Sequence, residues 1–481
     1  MIMPSSMSSL MPRVELGKVF YQAPEQWLAE QGIGSLAAQI APDLLKRQQA
    51  LDEKKVYKAK TGKLSREIGA LKQAGQSAEE LIAEMKVYKT ELTAIDDIII
   101  KTEESVSQCV MEQLVILAEK NTEAESPPNT QNNQLDYSAL TIEPLNDALR
   151  PACLHYLKHS TEATLYHHPD WCDLIKQSFG HESHYYTAHI SGEVIGVLPV
   201  VNLTSRLFGN FGISMPYFNY GGPIGKTEEV VLALLDAAKQ QAIASQLSHI
   251  EYRCLKPLNQ YPGHQNKLSM WLDLPESSEL LWKALGTKVR AQVNKAKPYG
   301  FTVHIGGEEL LDDFYRVFAI NMRDLGTPVY GKSFFKNVLE SNIGKNNIVV
   351  LKNDKGEAVS ASFLMGHKHQ LEVPWASTLR KYNHTNANML LYWEMLKLAC
   401  DKGYKVFDFG RSSMGASTYR FKKQWGAKLV KLYWHYWLAE GNSLPELSPN
   451  NPKYKLVISL WQRLPVWITK IVGPSIVKNL P

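Results

Sequence analysis

The run Val406–Phe409 has the pattern of a short strand and carries one carboxylate, Asp408. It leads into a loop with Gly410 and Gly415, and then into a segment holding Arg420, Lys422 and Lys423 beside Phe421 and Trp425. Cations set among aromatics at the end of a strand suit a site that meets a group already charged, or gaining charge during a reaction. The same residues also read as a solvated basic turn whose aromatics enter the core, and the motif alone leaves both readings open.

Other candidates are weaker. The run Lys288–Lys297 is basic, and on one helix Arg290 and Lys297 would share a face seven residues apart, fit for a phosphate or for solvent. Arg323 falls at the end of a helical pattern containing Phe314 and Phe318, where the helix dipole favours a cation in any case. His167-His168 and His367/His369 lack a third ligand at metal spacing, so no metal is expected. Asp408-Phe-Gly410 has neither the glycine-rich loop nor the catalytic loop of a kinase, and no nucleophile elbow occurs.

The elements that must position these residues fill a chain of 481 residues, too long for one ordinary core. Five scattered cysteines with no CxxC pair speak against a zinc or disulfide framework and fit a reducing cytoplasm. A net charge of +5 does not by itself argue for nucleic acid. Met1–Arg13 lacks a signal-peptide core, and no run is apolar enough to span a bilayer, so a cytoplasmic location is expected.

After an N-terminal segment (1–41), residues 42–118 read as two helices. Leu81, Met85, Tyr88, Leu92, Ile95 and Ile99 make a seam that faces Leu64, Ile68 and Leu71. Gly75 can end the first helix, and Ser77 with Glu80 can start the second, folding them into an antiparallel hairpin. Lys54, Lys55, Lys58, Lys60, Lys63 and Arg66 follow one another with no acid between them: a solvated or dimerising face, or a strip for a nucleic-acid backbone. Through Arg47–Lys55, Leu64–Gly69 and Ala78–Met85 the hairpin resembles the N-terminal arm of seryl-tRNA synthetases, which implies tRNA contacts by Lys54, Lys55, Lys58, Lys63 and Arg66. Residues 119–137 form a polar linker.

Beyond it an order repeats. His184–Val200 and Asn347–Leu364 are hairpins with Gly-Glu opening the second strand. Each is followed by a strand, a helix (Glu228–Ser245; Asn388–Lys402) and a strand. The order resembles two tandem GNAT acyltransferase domains, an α/β (α+β) class, at 138–270 and 271–440. The usual glycine loop for CoA pyrophosphate is missing from Leu379–Met389.

From Ser138 onward the chain resembles the FemAB family, in its branch associated with PEP-CTERM/exosortase and exopolysaccharide systems. Pro216–Pro223, Leu285–Arg290, Asn321–Tyr330, Asn388–Trp393 and Phe421–Gly426 carry the likeness. The resemblance implies transfer of an aminoacyl group from aminoacyl-tRNA to an amine of a peptidoglycan or exopolysaccharide precursor, lipid-linked forms included, without a cofactor. It implies Lys422 as oxyanion stabiliser, with Asp408 or a substrate phosphate as base, and Arg323 at the acceptor phosphate. Arg290, Tyr330, Trp375 and Arg411 are taken as further substrate-binding candidates. A CoA thioester donor, or a non-catalytic tRNA- or glycan-binding scaffold, are the alternatives. The tail, 441–481, is apolar and basic, with Trp461 and Trp467, and fits either a membrane surface or packing on the second domain.

Overall fold

Apolar residues at steps of four and three bring the helices Ala37–Gln73 and Glu79–Ala124 together as an antiparallel hairpin. This is seen in the computed structural model, which describes residues 18–124, 137–205, 209–413, 416–445 and 452–480. Leu64, Ile95 and Ile99 are buried along the expected seam, and Gly75 turns the chain at φ +71°. Arg47 bonds Glu103 at 2.8 Å, Lys54 pairs with Asp96, and Tyr57 meets Tyr88 edge-on, so partner numbers fall as the chain rises. The first helix starts at Ala37 and runs through Pro42, earlier than expected. The reason is tertiary: Phe20, Leu28, Ile33, Leu36 and Ile40 bury together with Val106 and Val110 at the base of the hairpin. Of the expected linker, 119–137, the first residues instead continue the second helix to Ala124, and 125–136 lie outside the described residues, as does Met1–Arg13.

Contacts divide the chain into two compact units, Met1–Asn132 and Asn133–Pro481. Among the described residues the second holds thirteen strands: β1 Thr141–Pro144, β2 Glu182–Ile190, β3 Glu193–Ser205, β4 Gly209–Ile213, β5 Ile224–Gly225, β6 His249–Cys254, β7 Gly263–Asp273, β8 Thr302–Gly306, β9 Lys345–Lys352, β10 Ala358–His367, β11 Gln370–Thr378, β12 Val406–Ser413 and β13 Lys428–Leu438. They form one sheet in the order β1-β2-β3-β4-β6-β13-β7-β12-β11-β10-β9-β8, with β5 beside β3. The duplicated order is present as two GNAT-like halves. Each runs antiparallel until β4 pairs with β6, or β11 with β12, in parallel across a helix, Glu228–Ala244 or Ala387–Asp401.

The halves exchange strands. β7, which follows β6 in the chain, pairs with β12, while β13, which follows β12, pairs with β6. A cut at residue 270 therefore passes through β7, and both halves lie in one compact unit. A repeat reports element order but not the partner of each strand, because that choice is made by long-range pairing.

The tail helices Pro452–Trp461 and Val466–Val477 fold back on this unit. Trp461, Thr469 and Val477 are buried, and a Cβ on Gly473 would come within 2.9 Å of Val329 N. Tyr217 Oη and His181 Nε2 each donate to Lys478 O at 2.7 Å.

Candidate functional site

β11 and β12 pair in parallel only as far as Glu372 opposite Asp408, although both strands continue. Two carboxylates therefore stand side by side where the strands part. In β12 the register then slips between Asp408 and Arg411, and Gly410 takes φ +73°, a conformation that costs glycine little. The bulge turns the carbonyls of Gly410 and Arg411 toward the short helix Ser417–Lys423, where Lys422 Nζ donates to them at 2.9 and 2.8 Å. Lys422 is 7 % exposed. Burial lowers its pKa to about 8, against the pull of Asp408 and Glu372.

The carboxylates are held by both halves. Tyr166 Oη donates to Glu372 Oε2 at 2.6 Å and Asn219 Nδ2 to Oε1 at 3.3 Å. Tyr220 Oη donates to Asp408 Oδ2 at 2.5 Å, where Gln370 Nε2 also donates at 3.1 Å. Ser269 Oγ and Gly410 N each donate to Asp408 Oδ1 at 2.7 Å. Burial first, and then the charge of Asp408, push Glu372 up from the usual carboxylate range. Burial also raises Asp408, its hydrogen bonds opposing. Every oxygen of Asp408 is occupied by a donor, so it is built to hold charge and geometry beside Lys422.

The structure thus joins Lys422 and Asp408 with Arg411, which keeps solvent access and lies over the Trp434 ring, 5.0 Å from its centroid. Tyr330 is close enough to feel the Arg411 and Arg253 charges. Trp375 is buried among Phe335, Phe363 and Tyr330, as a wall of the aromatic core. Arg323 is drawn elsewhere: its Nε donates to Asp324 at 2.7 Å and its Nη1 to Leu464 O at 3.0 Å in the tail. Arg290 lies on the helix Thr287–Ala296, and Lys297, still at helical φ and ψ, opens a 3-10 turn, Lys297–Tyr299, in which Pro298 has no N–H to continue the α-helical ladder. Lys297 instead points its Nζ over Trp282, 5.9 Å from the ring centroid, and the two cations do not share one helix.

Glu372, Tyr166, Tyr220 and Arg253 were not among the sequence candidates. The available signal was an acid inside an apolar strand, Leu371-Glu-Val373, and a second in Ile250-Glu-Tyr-Arg253. The glycines of the first half serve packing: Gly221 N and Gly222 N both donate to Arg253 O, at 3.0 and 2.8 Å, leaving neither for a phosphate. In the second half Asn386, at φ +59°, precedes the crossover helix, and Ala387 N donates to Thr385 Oγ1 at 3.2 Å. Among the described residues no group of His, Cys, Asp and Glu could hold a metal.

On the arm, Lys55, Lys58, Lys63 and Arg66 are exposed. They fall within roughly 140° of one helix face. Lys54 reaches Asp96 across the hairpin.

Known proteins resemble the chain in part. The Acetyltransferase (GNAT) domain matches residues 287–423. FemX is similar in structure, with a TM-score of 0.50 and 15% identity over 66% of this chain and 100% of FemX. The C-terminal domain (DUF2156) of a putative lysylphosphatidylglycerol synthetase from Agrobacterium fabrum gives 0.42 and 12%, over 60% of this chain and 91% of that one. L-PGS from Bacillus licheniformis gives 0.41 and 15%, over 67% and 98%. No curated protein matches the sequence. The chain carries a GNAT acyltransferase domain within a two-half fold like that of FemX.

Proposed function

We propose that the protein transfers an aminoacyl group from aminoacyl-tRNA to an amine of a cell-envelope precursor. One observation carries the chemistry: two N–H groups of the Lys422 ammonium are fixed on Gly410 O and Arg411 O. Among the described residues no acceptor takes the third. An ammonium held this way can donate to an oxyanion as it forms. The acceptor amine attacks the ester carbonyl, forming a C–N bond and a tetrahedral oxyanion that Lys422 stabilises. Collapse breaks the C–O bond to the tRNA ribose, whose oxygen takes a proton, and the proton lost by the amine passes to solvent or to a substrate phosphate. Asp408 acts through Lys422, keeping it protonated.

The tRNA donor is supported by the basic hairpin and by the occupied glycine N–H groups. The reading is tested by offering purified full-length protein charged tRNA and acyl-CoA in parallel, with amine-bearing envelope precursors. Transfer from charged tRNA is expected; transfer from acyl-CoA alone would replace this reading by CoA-dependent acylation, which the GNAT domain match favours.

The tail would hold the enzyme at the cytoplasmic face of a membrane, near a lipid-linked acceptor. Its inner side packs on the fold, while Val457, Leu460, Trp467 and Ile471 remain more than half exposed. Residues 452–480 carry five Lys or Arg and no acid, which complements an anionic lipid surface. No helix among the described residues is long and apolar enough to cross a membrane.

A further inference from the structure

The duplicated fold repeats a chemical pattern that the transfer step leaves unused. In each half the parallel pair closes on an acid: Glu251 opposite Ile213, and Asp408 opposite Glu372. An arginine follows, two residues on as Arg253, and three on as Arg411 across the bulge. Strand exchange brings both to one ring. Arg253 Cζ lies 4.3 Å and Arg411 Cζ 5.0 Å from the Trp434 centroid.

Charge there is unbalanced. Glu251 spends one oxygen on Arg253 Nε at 2.6 Å and the other on Tyr436 Oη at 2.7 Å. Arg253 Nη1 donates to Phe218 O at 2.6 Å. Its Nη2 has no acceptor, although the residue is only 1 % exposed. Arg411 stands close enough for the two guanidinium charges to repel each other. Two cations thus share one committed carboxylate. A buried N–H without an acceptor is costly, and an entering oxyanion would relieve both that cost and the repulsion.

We propose that Arg253 and Arg411 form an oxyanion-binding subsite, for a phosphate, diphosphate or carboxylate. Arg411 is the exposed member of the pair and meets the anion first; the buried Arg253, at the same Trp434 ring, supplies the unspent N–H. The Arg411 carbonyl accepts from Lys422 Nζ at 2.8 Å, so the anion-binding residue and the reacting group share one short backbone segment. Assigning the anion to the amine acceptor rests on the proposed transfer reaction; the binding of an anion does not.

The test is calorimetric titration of the full-length protein, at low salt, with inorganic pyrophosphate, orthophosphate and acetate. Wild type should bind at least one of the three, and Arg411→Ala should weaken that binding at least about tenfold, the loss of one charge-assisted contact. Lys226→Ala, on an exposed ion pair with Glu193, should bind as wild type does. Preference for the phosphates points to a phosphorylated substrate, and preference for acetate to a carboxylate-bearing one. Absence of binding to wild type, or equal binding by Arg411→Ala, overturns the proposal. Neither result depends on whether aminoacyl transfer is observed.

Discussion

The hydroxyl of Tyr220 lies 2.5 Å from Asp408 Oδ2 and 3.4 Å from Glu372 Oε2, so one phenol from the first half ties together two buried acids of the second. Tyr220→Phe removes that donor and leaves two carboxyl groups competing for the remaining ones. It should destabilise the fold by about 1–3 kcal/mol. Denaturant unfolding checks this, and an unchanged midpoint would show that the link contributes nothing.

Lys422→Ala should lower turnover by roughly 10²–10³ while changing acceptor KM little, since it removes a donor needed mainly in the transition state. Near-normal turnover would refute the role. A thermal melt of the same variant separates this from loss of folding.

The pH dependence of the reaction follows from the same lysine. Its pKa is lowered from 10.5 to about 8, and only the ammonium can donate to an oxyanion. The rate should therefore fall as pH rises through about 8. Lys422→Arg, if active, should lack that alkaline limb; a limb retained in Lys422→Arg would assign it to another group.

Glu372 sits above its ordinary value of 4.5, so the folded chain keeps a proton that the unfolded chain releases. Its contribution to stability is present at acid pH and is lost as pH rises through the raised value. Glu372→Gln does not titrate, so its melting temperature relative to wild type should climb from pH 5 to pH 8. A difference constant with pH would mean that Glu372 is ionised throughout.

A chain starting near Gln134 should fold, because the contacts divide at 132/133, and should lose salt-sensitive tRNA binding. Charge reversal of Lys55, Lys58, Lys63 and Arg66 in the full chain should reproduce the loss. Filter binding across a salt series decides, and undiminished binding by either variant would remove tRNA contact from the arm.

Full-length protein should float with anionic liposomes, and Trp467→Glu with Ile471→Glu should stop it, since both side chains are exposed and their loss leaves the tail's packing face intact. Flotation of the double variant, or none by wild type, would leave the tail a packing element.

Local pattern was sufficient for several features. The steps between Leu81 and Ile99 determined a hairpin, Gly75 its turn, and the recurring hairpin, strand, helix and strand determined two GNAT-like halves, because helix and strand periodicities are written in neighbouring residues. Asp408 and Lys422 stood out by type and proximity in the chain. Only the tertiary structure decided that β7 and β13 trade partners, that Glu372 joins Asp408 from 36 residues earlier, and that Tyr166 and Tyr220 cross from the other half to hold them. The same pairing set Arg253 beside Arg411 and sent Arg323 to the tail. Contacts of that kind depend on which strands meet across long loops, and no local spacing encodes the choice.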